Sequence, residues 1–353
     1  MSFYAGPERA ALALVESPAQ LLNVIELAQH EEDLAGLRIA VLAPNAGLTR
    51  TQLRSMMALA RQAGHPVAWY EPRLGGMAVA RSVRALAGEM NGVQRLVIGD
   101  PYSGVIQVII GVTKLSEVTI IDDGTATLEF ARQWAAGEQL SRWHQVATPS
   151  QRRQIATLAR DQIAGTVRRR LSPDSGCRLR LFTCMPVELP RVRTIRNDFS
   201  WLRARHPAPQ LKASADLVGT SLVESGVVKA DPYLTGVETL ITRFQADRYF
   251  AHRKEANWKL DLIERMGVRV VRPALPLEIV ARRGPIGRTI VSFPSTVVHT
   301  LPTVLAESAV EVVVCEIAND WYQAGATARA DDFLGRVATS AQRSHHRLAA
   351  VAV

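Results

Sequence analysis

Residues 11–28 read Ala11-Leu-Ala-Leu-Val15-Glu16-Ser17-Pro18-Ala19-Gln20-Leu21-Leu22-Asn23-Val24-Ile25-Glu26-Leu27-Ala28. Ala11–Val15 is an apolar run of strand length, followed directly by a polar turn. Leu21–Ala28 then has helical character. Ser17 suits a helix cap, and Pro18 suits the first turn, where a missing N–H goes unnoticed. The same alternation continues outward. Strands are expected at Arg38–Leu42, Val67–Tyr70, Arg95–Ile98 and Glu117–Ile121, with helices at Thr51–Ala63, Met77–Glu89 and Val105–Val112 between them. Strands alternating with helices through short loops imply a parallel sheet covered on both faces. Ligands of such sheets bind outside the carboxyl ends of strands, where the Gln20, Asp100 and Asp123 loops fall.

Residues 125–175 read as helices, ending in the polar stretch Arg170-Leu-Ser-Pro-Asp-Ser-Gly176, the best linker candidate. A second series of strands is expected at Leu179–Thr183, Asp216–Gly219, Arg248–Ala251, Val268–Val271, Thr289–Phe293 and Glu311–Ile317. Helices are expected at Tyr233–Arg243, Lys254–Met266, Leu277–Ala281 and Val297–Ala306, with a long terminal helix over Ala328–Ala350. In the helix after His252, Trp258, Leu260, Leu262 and Ile263 are read on or near the apolar face. A chain of 353 residues exceeds one comfortable core. The expected fold is α/β, with two Rossmann-like domains facing across a cleft, residues 1–172 and 177–353.

Composition narrows the classes. Three cysteines without metal-ligand spacing argue for a reducing compartment and against a disulfide framework or zinc site. The beginning of the chain carries no basic-then-apolar signal pattern, and no apolar run reaches the length of a membrane span, so a cytoplasmic protein is expected. The net charge of +9 is concentrated in arginines at 152–153, 168–170, 178–180 and 191–205. Such a surface favours anionic partners, although few aromatics lie between these arginines, which argues against a single-strand nucleic-acid platform. Solvated faces rich in arginine are the plainer reading.

Five short motifs, in order, carry a family resemblance. They are Ser17-Pro18-Ala19-Gln20-Leu21-Leu22 after the first strand, Asp122-Asp123-Gly124, Val218-Gly219-Thr220-Ser221-Leu222-Val223-Glu224, Tyr249-Phe250-Ala251-His252, and Ser295-Thr296. Together they resemble the bacterial sialyltransferases of the lipooligosaccharide and polysialic-acid types, whose two-domain arrangement is called GT-B. The family has proline after the histidine, where this chain has Arg253.

The resemblance implies inverting, metal-independent transfer of sialic acid or a related acidic sugar from a CMP-activated donor to a glycan or glycolipid acceptor. No cofactor is implied. Asp123 would be the general base, with Asp122 as its alternative, and His252 would act as acid or hydrogen-bond the departing phosphate. Gly219, Thr220, Arg253, Glu278, Ser295 and Thr296 would line the donor side, with Glu278 on the ribose hydroxyls. Gln20, Asp100 and Asp122 would lie on the acceptor side, and Asp231 is a second candidate base. Each has a plain alternative: a turn at Asp-Asp-Gly, a cap at Ser295-Thr296, a structural His252, a helix start at Asp231. Peripheral attachment to the inner membrane through basic residues and a homodimer are open expectations; a nucleic-acid partner is not expected. The competing readings are a sugar-nucleotide epimerase of similar architecture and a basic nucleic-acid-binding α/β protein.

Overall fold

The computed structural model describes residues 11–74, 76–124, 126–138, 140, 162–324, 326, 334–339 and 348–352. The chain divides into two compact units, Met1–Ser200 and Trp201–Val353.

The first unit alternates β1 (Ala11–Val15), α1 (Pro18–His30), β2 (Arg38–Leu42), α2 (Gly47–Gln62), β3 (Val67–Tyr70), α3 (Gly76–Met90), β4 (Arg95–Ile98), α4 (Gly104–Val112) and β5 (Glu117–Ile121). It continues through α5 (Ala126–Ala135), α6 (residues 162–171), β6 (Arg178–Thr183) and β7 (Arg193–Arg196). The seven strands are ordered β3-β2-β1-β4-β5-β6-β7, and every pairing is parallel. The opening stretch decides this sheet as its sequence suggests. Leu12, Leu14, Val15, Leu21 and Leu22 are almost wholly buried, Pro18 opens α1, and Ser17 Oγ accepts from the Gln20 N–H at 3.2 Å. A strand covered on both faces must be apolar on both, which is why β1 shows no alternation.

The second unit begins within α7 (Ser200–Arg205) and contains β8 (Leu211–Lys212), β9 (Ala215–Val218), α8 (Ala230–Phe244), β10 (Ala246–Phe250), α9 (Asn257–Arg265) and β11 (Arg269–Val271). It ends with α10 (Leu277–Arg283), β12 (Ile286–Gly287), β13 (Thr289–Ser292), α11 (Val297–Val304), β14 (Glu311–Glu316) and β15 (Leu348–Ala352). Six strands form a parallel sheet ordered β11-β10-β9-β13-β14-β15, while β8 and β12 form a separate pair. Counted within each unit, both orders follow the 3-2-1-4-5-6 pattern of doubly wound nucleotide-binding sheets. The topology therefore reverses beside β1 and β4 in one unit and beside β9 and β13 in the other.

Three expectations are corrected. The boundary lies at Ser200, not at residues 172–177, because β6 pairs in parallel with β5 and β7 inside the first sheet rather than opening the second. The expected linker is a helix end and a one-turn 3-10 segment, Pro173–Ser175. Of the terminal helix expected over Ala328–Ala350, residues 334–339 are helical, but 348–350 belong to β15, where pairing with β14 overrides local helix propensity. The rest of that stretch, and Arg152 and Arg153, lie outside the described residues. Among the described residues, no helix is long and apolar enough to cross a membrane.

Candidate functional site

The carboxyl ends of β9, β10 and β13 lie side by side in the second sheet, and their loops carry Gly219-Thr220, His252 and Ser295-Thr296. This is the switch point of that unit. The loop after β10 is a tight turn: the Glu255 N–H donates to the His252 carbonyl at 3.0 Å. Glu255 Oε2 also accepts from the His252 N–H at 2.6 Å. One residue, through its backbone N–H and its carboxylate, thus closes the turn from both ends, which supplies by hydrogen bonding the constraint a proline at position 253 would supply covalently. Arg253 is half-buried and makes no hydrogen bond or ion pair among the described residues.

His252 is half-buried, and its Nδ1 accepts from the Lys254 N–H at 3.3 Å. Burial, together with the charges of Arg253, Lys254 and Lys259, lowers its pKa from 6.5 to about 3. The ring is therefore neutral at neutral pH. With Nδ1 accepting, the proton resides on Nε2, and the ring presents a hydrogen-bond donor rather than a positive charge.

Beneath the turn lies a polar network that the sequence reading missed. Lys259 is 0% exposed. Its Nζ lies 2.9 Å from Glu255 and 3.0 Å from Glu224, and it donates to the Thr220 carbonyl at 3.0 Å. Glu255 Oε1 accepts from the Tyr249 hydroxyl at 2.7 Å, which meets the Tyr233 hydroxyl at 3.1 Å. The Thr220 N–H donates to Tyr233 Oη at 3.2 Å. Burial pushes the Glu255 carboxyl and both tyrosines up; Lys259 stays raised because the neighbouring acidic groups outweigh its desolvation. The apolar face expected on α9 is only half present: Leu260 and Ile263 are buried, whereas Trp258 and Leu262 are 48% and 37% exposed. The lysine turns inward instead. Its signal was its i,i+4 spacing from Glu255.

Gly219 is dictated by this network. A Cβ there would lie 2.2 Å from Glu255 Oε2 and 2.4 Å from the Tyr249 hydroxyl. Across the switch point, Ser295 Oγ meets Ser292 Oγ at 3.1 Å, and Thr296 is the cap residue of α11. The Thr296 and Val297 amides precede the first intrahelical bonds, so they stand as donors at the helix start. Glu278 is buried on α10, where its Oε1 accepts from the Thr300 hydroxyl at 2.7 Å. Asp231 is exposed in the first turn of α8, the position that suits a helix start.

In the first unit the acidic pair divides. Asp122 is 2% exposed; its carboxylate accepts from the Thr183 hydroxyl at 2.5 Å and from the Cys184 N–H at 2.7 Å, while burial pushes its pKa up. Asp123 is half-buried, its N–H donates to Thr127 Oγ1 at 3.3 Å, and its carboxylate has no partner among the described residues. Gly124 has φ +66°, a conformation that requires glycine at this turn. Gln20 and Asp100 are 1% and 2% exposed. Gln20 Oε1 accepts from the Glu16 N–H at 2.6 Å, and its side chain fills the space beside Gly99. Asp100 Oδ1 accepts from the Tyr102 N–H at 2.9 Å in a local turn. Both are internal ties of the fold.

Among the described residues, no group of three or more His, Cys, Asp or Glu side chains is placed to hold a metal ion. No family model and no curated protein matches the chain.

Proposed function

We propose that the chain is an inverting glycosyltransferase that moves sialic acid or a related acidic sugar from a CMP-activated donor to a glycan or glycolipid hydroxyl. The proposed architecture is of the GT-B type, with the second unit holding the donor and the first supplying the base. The observation that carries the reading is the second unit's switch point. There a neutral imidazole with a free Nε2–H and the Thr296 and Val297 amides are potential donors. Such groups suit a phosphate, and the dipole of α11 adds to them.

In the proposed reaction, the acceptor oxygen attacks the anomeric carbon and gives its proton to Asp123. The bond from that carbon to the CMP phosphate oxygen breaks, and CMP leaves with the bonding pair. His252 donates a hydrogen bond through Nε2 to the departing phosphate, whose charge grows in the transition state. Arg253, beside it on the turn, adds a positive charge for the phosphate or the donor carboxylate. Glu278 keeps Oε2 for the ribose hydroxyls while Thr300 holds Oε1. Asp122 positions the loop rather than taking the proton, because both of its oxygens accept hydrogen bonds inside the unit.

Calorimetric titration of CMP, UMP and UDP at two salt concentrations tests this reading. Selective CMP binding that survives added salt is expected. A uridine preference would favour an epimerase, and oligonucleotide binding that collapses with salt would favour a nucleic-acid-binding protein.

A further inference from the structure

The amino ends of the strands in the first unit hold a second charged site. A cavity of about 390 Å³ opens there, lined by Arg178, Arg180, Arg191 and Arg193. Glu117 is the acidic residue of the lining, so arginine exceeds acid by a formal charge of three. The arrangement follows from strand geometry. Arg180 on β6 stands opposite Arg193 on β7, and Arg178 stands opposite Glu117 on β5. Residues two apart on a strand share a face, so Arg178 and Arg180 lie together, and Arg193 lies on the same face as its partner Arg180.

Glu31 and Glu117 lie on one side. Arg180 donates to Glu31 and Glu117 through its two terminal nitrogens, and Arg95 shares the same two carboxylates. Arg178 lies 3.5 Å from Glu117, and Arg191 lies 3.6 Å from Asp174 at the surface. On the other side, Arg193 is exposed and has no hydrogen bond or ion pair among the described residues. Arg180 is 8% exposed, yet its Nε is buried without a partner. Like charge thus gathers at this edge of the sheet, with the Arg193 guanidinium facing solvent. An oxyanion in the cavity would pair with the exposed Arg193 and offset the excess positive charge.

We infer that this cavity binds a small organic oxyanion, a phosphate ester or a carboxylate, held by Arg193 in the positive field of Arg178, Arg180 and Arg191. The guanidinium fork matches the paired oxygens of either group. Pro173, exposed on the rim, supplies apolar surface for the remainder of the ligand. The volume lies in the range of small-molecule sites, which sets it apart from a flat patch for a polymer. The site is also distinct from the Asp122-Asp123 loop. The five residues of β5 separate them by ~13 Å, since each step along a strand rises about 3.3 Å.

The test is calorimetric titration at near-physiological salt with two probes, inorganic pyrophosphate and free N-acetylneuraminate. Saturable one-to-one binding of at least one probe is expected, and the probe that binds tells phosphate from carboxylate. Arg193→Ala should weaken that binding by about tenfold or more, the scale of one charge-assisted hydrogen bond. Arg193→Lys should fall between, keeping charge but losing the fork. Neither variant should change CMP binding or the melting temperature, because Arg193 is exposed and lies on the edge strand. Absence of saturable binding by both probes would overturn the inference. So would binding that Arg193→Ala leaves unchanged, or binding that CMP abolishes by competition. These outcomes do not depend on whether the chain is a glycosyltransferase.

Discussion

β1 and β4 in the first unit diverge at the same place in the strand order as β9 and β13 in the second. In the first unit that place is filled from within. Glu16, just past β1, accepts from Ser103 beyond β4 at 2.7 Å and from Arg73 at 2.5 Å, and Gln20 lies against Gly99. In the second unit, among the described residues, no hydrogen bond joins residues 219–221 to residues 293–297. Its polar groups instead form a layer below, around Lys259, that holds the loops from behind. One topology thus serves two ends. A switch point spanned by its own side chains is a structural joint, and one supported from beneath leaves the Thr296 and Val297 amides outside the fold's own backbone bonds.

The largest test of that contrast removes the support. Lys259→Met leaves Glu255 and Glu224 without their buried cation, so a loss of about 3–5 kcal/mol in urea unfolding is expected. A loss below ~1 kcal/mol would mean that the network is not what supports the loops. Next comes the acidic pair. Asp123→Asn should reduce transfer by about 10²-fold or more with CMP affinity and stability unchanged, the scale of a lost general base. Asp122→Asn should instead lower the melting temperature. Reversal of the two phenotypes would exchange their roles.

The glycines sharpen the comparison further. Gly219→Ala should cost about 1–3 kcal/mol, an overpacking penalty, and weaken CMP binding, because its Cβ meets Glu255 and Tyr249. Gly99→Ala should be similarly disruptive, since its Cβ meets Gln20 at 2.1 Å, but without loss of CMP binding and with rescue by Gln20→Ala. Failure of that rescue would show that Gln20 does more than fill the joint.

The remaining effect is in pH, and it is absent at neutrality. His252 stays neutral in the folded chain down to about pH 3, while in the unfolded chain it gains a proton near pH 6.5. Between those values the unfolded state binds more protons. The contribution of His252 to stability is therefore full above pH 6.5 and declines as pH falls toward 3, by at most about 1.4 kcal/mol per unit. From pH 7 through 5.5 to 4.5, wild type should lose stability relative to His252→Asn, as read from unfolding curves of the two. Parallel curves would place the ring in a more open environment.

Much of this was legible from the sequence, for identifiable reasons. The central strands are apolar on both faces and short, so β1, β2, β4 and β5 stand out between turn residues. The edge strand β7, Arg193-Thr194-Ile195-Arg196, lacks that signal because much of it remains exposed. The parallel pairing of β6 with β5 is a long-range contact that local composition does not encode, and the polar stretch before β6 imitates a linker. His252 and Ser295-Thr296 stood out through the ordered motifs of the resemblance, and both fall in loops after strands of the second sheet. Lys259 was missed because a lysine between apolar residues reads as the wet side of a helix. Its burial depends on Glu224, Glu255 and Thr220, which three separate segments bring together.

The Asp122 loop is also held by a relay of buried amides. The Asn23 side chain donates to the Asp122 carbonyl at 3.0 Å, the Asn197 side chain donates to Asn23 at 3.0 Å, and Asn197 accepts from the Phe199 N–H at 3.0 Å. With Thr183 and Cys184 on the Asp122 carboxylate, segments near 23, 122, 184 and 197 hold one another. Exposing one of these bonds to solvent requires loosening the others, so they form a single cooperative opening unit. The amide protons of Cys184 and Phe199, fifteen residues apart, should therefore exchange with deuterium at matched free energies, and Asn23→Ala should release both together.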